Sequence, residues 1–209
     1  CQIYPNAFVY LWSHSETGIW MGASPERLLT VQNNKFNVMA LASTQEYKRS
    51  LDVIWGDKEK KEHQYVVDYI ADKLKGFNIE ISDAYTVKAG NLLHIRADLN
   101  GVILENNRSL KPLIGILHPT PAVCGLPKDA SKSFILQNEN YNREFYTGYL
   151  GELKSNEADL FVNLRCMRVD LDNNLATLFV GGGITKDSDP EMEWLETVAK
   201  SNVMKRVLD

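Results

Sequence analysis

The chain reads as an α+β fold of mostly antiparallel strands, on two observations. Short runs rich in β-branched, aromatic and leucine residues outnumber the helical stretches. Most of those runs are joined by brief polar or glycine-containing turns, as hairpins are, which disfavours a doubly wound parallel sheet.

The first four strands are expected at residues 6–12, 18–23, 27–32 and 35–41, the last two parted by "QNNK". After residue 56 the period changes. In "DKEKKEHQYVVDYIADKLKG" the residues Val66, Val67, Ile70 and Leu74 recur at helical spacing, and Gly76 is a natural stop. Strands return at 77–82, 84–89 and 91–104. Residues 109–117 and 128–138 are helical in pattern, on either side of the proline-rich turn "HPTPAVCGLP". A hairpin then runs from 160–170 through "LDNN" to 174–181. Ser188 or Asp189 can cap the last helix, with Pro190 in its first turn, and Ser188 with Glu191 fits the capping-box spacing. No internal repeat, low-complexity tract or linker breaks the series.

With 209 residues, 44% of them apolar, the chain can bury a real core. A net charge of -4 with no basic stripe argues against nucleic acid as a partner. Nothing resembles a transmembrane run of about 20 apolar residues or a secretory signal, so no membrane role is expected. Cys1, Cys124 and Cys166 lack CxxC spacing, which suggests neither a disulfide framework nor a zinc site; a reducing cytoplasm is the expected setting. The opening "CQIYPNAFVYLW" has no initiator methionine and reads like the middle of a sheet, so the chain is expected to begin inside a larger protein.

Carboxylates on two helices are the candidates for chemistry. Glu193, Glu196 and Lys200 fall at i, i+3 and i+7 on one stripe of the last helix, while Trp194, Leu195, Val198 and Val203 are available to anchor it. One reading is a solvated face with a Glu196–Lys200 pair. The other begins from Glu59 and Glu62, which repeat the spacing on the first helix, Glu62 in line with the apolar Val66 and Ile70. A carboxylate on an apolar stripe needs a partner. One divalent cation between the helices would satisfy both pairs, and an oxygen-only ligand set points to magnesium.

Gly181–Gly183 either bend a strand or offer backbone N–H groups to a carboxylate; no P-loop lysine or GxGxxG context accompanies them. Arg165, within the apolar "VNLRCMRV", is an ion-pair or ligand residue, since a buried guanidinium must be satisfied. His63, His94 and His118 are not spaced as metal ligands, and His94 alone is compatible with a core histidine. Glu26 follows Pro25 and is compatible with a turn.

Taken together, the segments resemble the chorismate-utilising enzymes: anthranilate, aminodeoxychorismate, salicylate and isochorismate synthases. The matches are "GASPE" at 22–26, "DKEKKEH" at 57–63, "HPTPAVCGLP" at 118–127, "REFYTG" at 143–148, "LRC" at 164–166, "GGGI" at 181–184 and "EWLETVAK" at 193–200. They run in the family's order through nearly the whole chain. Within the family, "HPTPAVCG" looks like isochorismate synthase, because the aminating members typically carry Thr at the position of Ala122 and read Gly-Ala-Pro-Lys where this chain reads "GLPK".

The resemblance implies an anthranilate synthase component I-like, chorismate-binding fold with large antiparallel sheets and helices outside. Residues 1–209 would form the C-terminal portion of one catalytic domain. It implies a magnesium-dependent isomerisation of chorismate to isochorismate, with water attacking C2 while the C4 hydroxyl leaves. Glu62 and Glu196 match the magnesium ligands; Glu59 and Glu193 would support them or hold metal-bound waters. Glu26 matches the general acid, which requires a raised pKa. Arg165 and Tyr146 resemble the clamp on the pyruvyl carboxylate, assisted by backbone at Gly181. Lys200 would balance substrate charge, and His94 and Ala122 would line the ring pocket.

The chain also departs from the family. Isochorismate synthases activate water with a lysine ahead of "GASPE", and none of the residues before Gly22 is lysine. The expectation is that this chain binds magnesium and chorismate but turns over poorly. Unpaired sheet edges would favour self-association or assembly with an N-terminal half. Ser43, in "MALAST", stands where the family usually has glycine and would narrow the pocket. Rival readings are a salicylate synthase, an aminating relative, and a non-catalytic metal- or ligand-binding fragment. Isochorismate feeds both menaquinone and siderophore synthesis, with menaquinone the preferred guess.

Overall fold

The structure is a computed structural model that describes residues 7–90, 92–103 and 110–208. Cys1, the expected strand ends at 6, 91 and 104, the expected helix start at 109 and the side chain of Val203 lie outside the described residues.

In chain order the elements are β1 (Phe8–His14), β2 (Gly18–Ser24), β3 (Arg27–Gln32), β4 (Lys35–Glu46), α1 (Asp57–Lys73), β5 (Ile79–Ile81), β6 (Tyr85–Ala89) and β7 (Leu92–Val102). There follow α2 (Lys111–Leu117), α3 (Pro121–Cys124), α4 (Lys128–Asn138), β8 (Tyr149–Leu153), β9 (Ala158–Val162), β10 (Cys166–Asp170), β11 (Leu175–Phe179) and α5 (Pro190–Lys205). The described strands form two sheets, one ordered β1-β2-β10-β11 and the other β5-β7-β4-β3-β9-β8 with β6 also on β7. Every pairing is antiparallel, as the α+β reading requires.

Local chemistry explains the hairpins. Asn33 and Asn34 take φ of 51° and 61° between β3 and β4, the left-handed pair that a two-residue hairpin turn demands and asparagine tolerates. At "LDNN", Asp170 accepts the backbone N–H of Asn173 at 3.0 Å, and Asn174 supplies another positive φ.

The main core lies between α1 and the larger sheet. Ile70 and Leu74 of the α1 stripe are fully buried among Leu29, Phe36, Val38 and Leu99, with Leu113 and Leu117 of α2 beside them. Each such side chain contributes about 1.5–3 kcal/mol by leaving water. α1 ends at Lys73, and Gly76 follows in the turn. Cys124 and Cys166 are buried free thiols. Among the described residues no helix is long and apolar enough to cross a membrane.

Four details differ from the sequence reading. The expected strand 160–170 breaks: β9 belongs to the larger sheet, Asn163–Arg165 cross over with Arg165 at φ 49°, and β10 enters the smaller one. β8 was not expected; "YLGEL" holds no β-branched residue and places Gly151 mid-strand, which mutes the pattern. α3 is one turn inside the proline-rich segment. Trp194 and Leu195 do not anchor α5, for both stand exposed; Met204 does so, packed on Met167. Asp189 is the helix cap, accepting Met192 N–H at 3.0 Å, while the Ser188 hydroxyl accepts from Thr185 N.

Candidate active site

Two crossings between the sheets build one half of the site. The chain leaves the smaller sheet after β2 through Pro25–Glu26, and returns to it through Asn163–Arg165. The crossings lie side by side. Ala23 N–H donates to Arg165 O at 3.1 Å and Val162 N–H to Glu26 O at 2.9 Å, while the Ser24 hydroxyl donates to Val162 O. Backbone pairing therefore sets Glu26 and Arg165, both buried, at the same seam.

His94 reaches this seam from β7. Its Nδ1 lies 2.9 Å from Ser43 O, and Arg165 Nη2 lies 3.0 Å from its Nε2. A carbonyl only accepts and a guanidinium only donates, so the proton sits on Nδ1 and the lone pair of Nε2 faces the arginine. Burial, reinforced by the Arg165 charge, pushes His94 down to about 3. It is a neutral imidazole that orients a guanidinium.

Glu26 is perturbed in the opposite sense. Burial pushes it up to about 7, against the pull of Thr120, Lys200 and Arg165. A carboxyl that keeps a large share of its proton at neutral pH can donate it to a leaving group. Thr120, whose Oγ1 is 3.5 Å from Glu26 Oε1, escaped the sequence reading. The signal in the sequence was a polar residue set between Pro119 and Pro121; its burial is visible only in the structure.

Two helices and the glycine run build the other half. A Cβ on Gly183 would lie 2.9 Å from Glu62 Oε1 of α1, and one on Gly182 would lie 3.6 Å from both Glu193 Oε2 and Glu196 Oε1 of α5. Adjacent glycines thus leave open space facing carboxylates from both helices. Burial raises Glu62 above the usual carboxylate range; the Ser43 hydroxyl opposes this and the Glu196 charge adds to it. Ammonium groups share the site. Lys200 Nζ sits 2.7 Å from Glu196 Oε1 and donates to Gly181 O at 3.0 Å. Lys58, not singled out from the sequence, pairs with Glu193 Oε1 at 2.8 Å. Burial works against ionisation of Glu193, yet Lys58 and the Ser188 hydroxyl hold it below its ordinary value.

Tyr146 is buried and stacks on Phe179 with centroids 5.5 Å apart; a Cβ on Gly181 would lie 2.8 Å from its hydroxyl. Burial raises its pKa, so it stays a donor. Ser43 bridges the halves, its hydroxyl 2.8 Å from Glu59 O and 3.2 Å from Glu62 Oε2. That hydroxyl faces α1. Glu59 lies at the start of α1, where a Cβ on Gly56 would be 2.6 Å from its Oε2, and Ala122 in α3 packs on the main core.

Among the described residues, no three His, Cys, Asp or Glu side chains gather as a ready-made metal cage. Magnesium does not demand one. It keeps several waters and binds through one or two carboxylates plus substrate oxygens. Glu62 and Glu196, against glycines that leave the space a Cβ would fill, fit that pattern of hard oxygen donors.

The family described as chorismate binding enzyme matches the chain over residues 1–209. A salicylate biosynthesis isochorismate synthase of Pseudomonas aeruginosa is 32% identical over 201 residues, 90% of this chain and 42% of that protein. The structure of MenF, the menaquinone-specific isochorismate synthase of Escherichia coli, superposes with a TM-score of 0.88 at 26% identity, over 100% of this chain and 50% of that one. Anthranilate synthase component I of Streptococcus pneumoniae gives a TM-score of 0.81 at 25% identity, over 96% of this chain and 46% of that one. The chain spans about half the length of the curated relatives it matches. With its sequence matched from end to end and its fold shared with these synthases, the chain belongs to the chorismate binding enzyme family.

Proposed function

We propose that this chain carries the cation-binding and proton-donating part of an isochorismate synthase, acting on chorismate. The observation that supports it most is the convergence of Glu62 and Glu196 on the glycine run, next to the seam that holds Glu26 and Arg165.

Glu62 and Glu196 would hold Mg2+, which when bound neutralises carboxylate charge and anchors the ring acid of the substrate. Arg165, oriented by neutral His94, and the Tyr146 hydroxyl bind the pyruvyl carboxylate, with backbone at Gly181 alongside. Holding both acids fixes the ring, so much of the entropic barrier is met on binding. Lys200 offsets the negative charge that gathers there. Glu26 donates its proton to the hydroxyl leaving C4. Its burial excludes water from that proton. Water adding at C2 needs a base, and the lysines at this face, Lys58 and Lys200, are both engaged with carboxylates. The 209-residue chain is therefore expected to bind substrate and turn it over poorly. The product would enter menaquinone or siderophore synthesis in the cytoplasm, and a second copy or further chain would cover the open sheet edges.

Titration calorimetry with Mg2+ and then chorismate is the test. Wild type is expected to bind chorismate only with Mg2+ present, and Glu196→Ala to lose that dependence. Chorismate binding that ignores both magnesium and Glu196 would overturn the reading, and robust isochorismate production by this chain alone would overturn the account of its engaged lysines.

A further inference from the structure

Ser43 occupies a bulge in β4, where pairing with β7 shifts register between Ala42 and Gln45, and its φ is 63°. That is the left-handed region, where any side chain costs backbone energy and glycine does not. The residue is also buried, and each of its polar side-chain and carbonyl groups is engaged with the site. Its carbonyl accepts His94 Nδ1–H at 2.9 Å, and its hydroxyl lies 2.8 Å from Glu59 O and 3.2 Å from Glu62 Oε2.

One hydroxyl carries one proton, so these two acceptors compete for it. The carboxylate is the charged acceptor, and hydrogen bonds to charged acceptors are the stronger kind. The two oxygens of Glu62 are then distinguished: Oε2 faces Ser43, and Oε1 faces Gly183. We propose that Ser43 is a positioning residue for Glu62, its hydroxyl fixing Oε2 against β4 so that Oε1 is presented to a magnesium ion at the glycine run. Through its own carbonyl the same residue holds the His94–Arg165 pair, so one strained backbone position sets the cation end and the carboxylate-binding end of the site together. The inference rests on the magnesium reading above.

The two roles open to the hydroxyl, service to the Glu59 carbonyl or to the Glu62 carboxylate, respond differently to substitution. Ser43→Gly removes the hydroxyl and the backbone strain together; Ser43→Ala removes the hydroxyl and keeps the strain. Magnesium titrations of the full chain, each paired with a melting temperature without metal, separate them. Positioning predicts that both variants bind Mg2+ about tenfold more weakly, the size of one hydrogen bond to a charged group. It also predicts that Ser43→Gly melts no lower than Ser43→Ala, so affinity and stability part company. A lowered melting temperature with unchanged Mg2+ affinity in both variants would overturn the proposal and leave Ser43 a structural tie to α1. If wild type binds Mg2+, Glu196→Ala does not, and the Ser43 variants bind like wild type, this inference alone fails. If wild type and Glu196→Ala are alike, the magnesium reading falls and takes this one with it.

Discussion

The seam and the helix pair stabilise charge by opposite means. At the seam, Glu26, His94 and Arg165 are buried on backbone that two sheets share, and desolvation sets their protonation: a carboxyl pushed up to about 7 beside an imidazole pushed down to about 3. At the helix pair, Glu62, Glu193 and Glu196 stand on α1 and α5; ammonium groups pair with Glu193 and Glu196, while burial raises Glu62. α1 is seated on the main core through Ile70 and Leu74, whereas α5 leaves Met192, Trp194 and Leu195 exposed and packs through Met204. The seam is fixed by backbone hydrogen bonds between its two crossings; the carboxylates of α5 are held by ion pairs to Lys58 and Lys200. In the proposed reading, the seam supplies the proton and grips the pyruvyl carboxylate, and the helix pair takes the cation.

The largest expected effect breaks the seam. Glu26 has a folded pKa near 7 against an ordinary 4.5, so the native state holds a proton that the unfolded chain releases between those values. For a raised acid the stabilising contribution is complete below the unfolded pKa and fades as pH rises through the folded one. Stability therefore falls across roughly pH 4.5 to 7 because of this group. Glu26→Gln removes the penalty and is expected to stabilise the fold by up to about 3 kcal/mol above pH 7, with little gain below pH 4.5. Urea denaturation of both proteins at pH 4.5, 6 and 8 reads this directly. A gain independent of pH would mean that Glu26 is not the buried acid of the seam. On the proposed function, the variant should also lose isochorismate formation.

The next effect sharpens the contrast. A ligand that binds only the folded state stabilises it by about 2.7 kcal/mol at a hundred times its dissociation constant. If Mg2+ bridges α1 and α5, that gain should appear first as slower hydrogen exchange in α5, the more loosely packed helix, while amides of α1 near Ile70 and the seam strands β2 and β9 stay nearly unchanged. Glu196→Ala should abolish the difference. Uniform protection of all elements would instead place the ion elsewhere.

Parts of this were legible in the sequence and parts were not, for physical reasons. Carboxylates three apart on helices announce a shared face because helix geometry is local, and Glu62, Glu193 and Glu196 were found that way. Asn33–Asn34 announced a hairpin for the same reason. Arg165 and Glu26 were another matter. Their local patterns read as strand and turn, because a crossing between sheets is defined by what each flank pairs with, and no period in the residues records it. An arginine in an apolar strand marked Arg165 as an ion-pair or ligand residue, but only the resemblance of "LRC" and "GASPE" to the chorismate-utilising enzymes gave the two residues specific roles. Trp194 and Leu195 misled in the other direction: apolar residues on a helix predict burial only where something is there to cover them. At Ser43 the sequence shows a side chain in place of the usual glycine but not where it points, because its direction at positive φ depends on a bulge that only the β4–β7 register reveals.

The smallest effect, and the sharpest on mechanism, concerns Lys58. Its hydrogen bond to Glu193 raises its own pKa, and Glu62 and Glu59 add to this, while Glu193 is held below its ordinary value. For the lowered acid, the pair's contribution is present above the unfolded carboxylate pKa and lost as pH falls through the folded one. For the raised ammonium, it is complete below 10.5 and lost above the folded value. Between those limits the pair is fully formed. Lys58 is 35% exposed, so solvent screening keeps its contribution to about 1 kcal/mol, and salt should erode that further. Lys58→Met is thus expected to cost about 1 kcal/mol without metal, less in molar salt. The same substitution removes a positive charge that already occupies the carboxylates, so Mg2+ should bind the variant more tightly than wild type, by about threefold to tenfold at low ionic strength. A protein that is weaker when empty and tighter when loaded is what a site held open by ammonium groups must give. If Lys58→Met instead weakens magnesium binding, Lys58 orients Glu193 for the ion rather than competing with it, and the helix pair, like the seam, would be built before its ligand arrives.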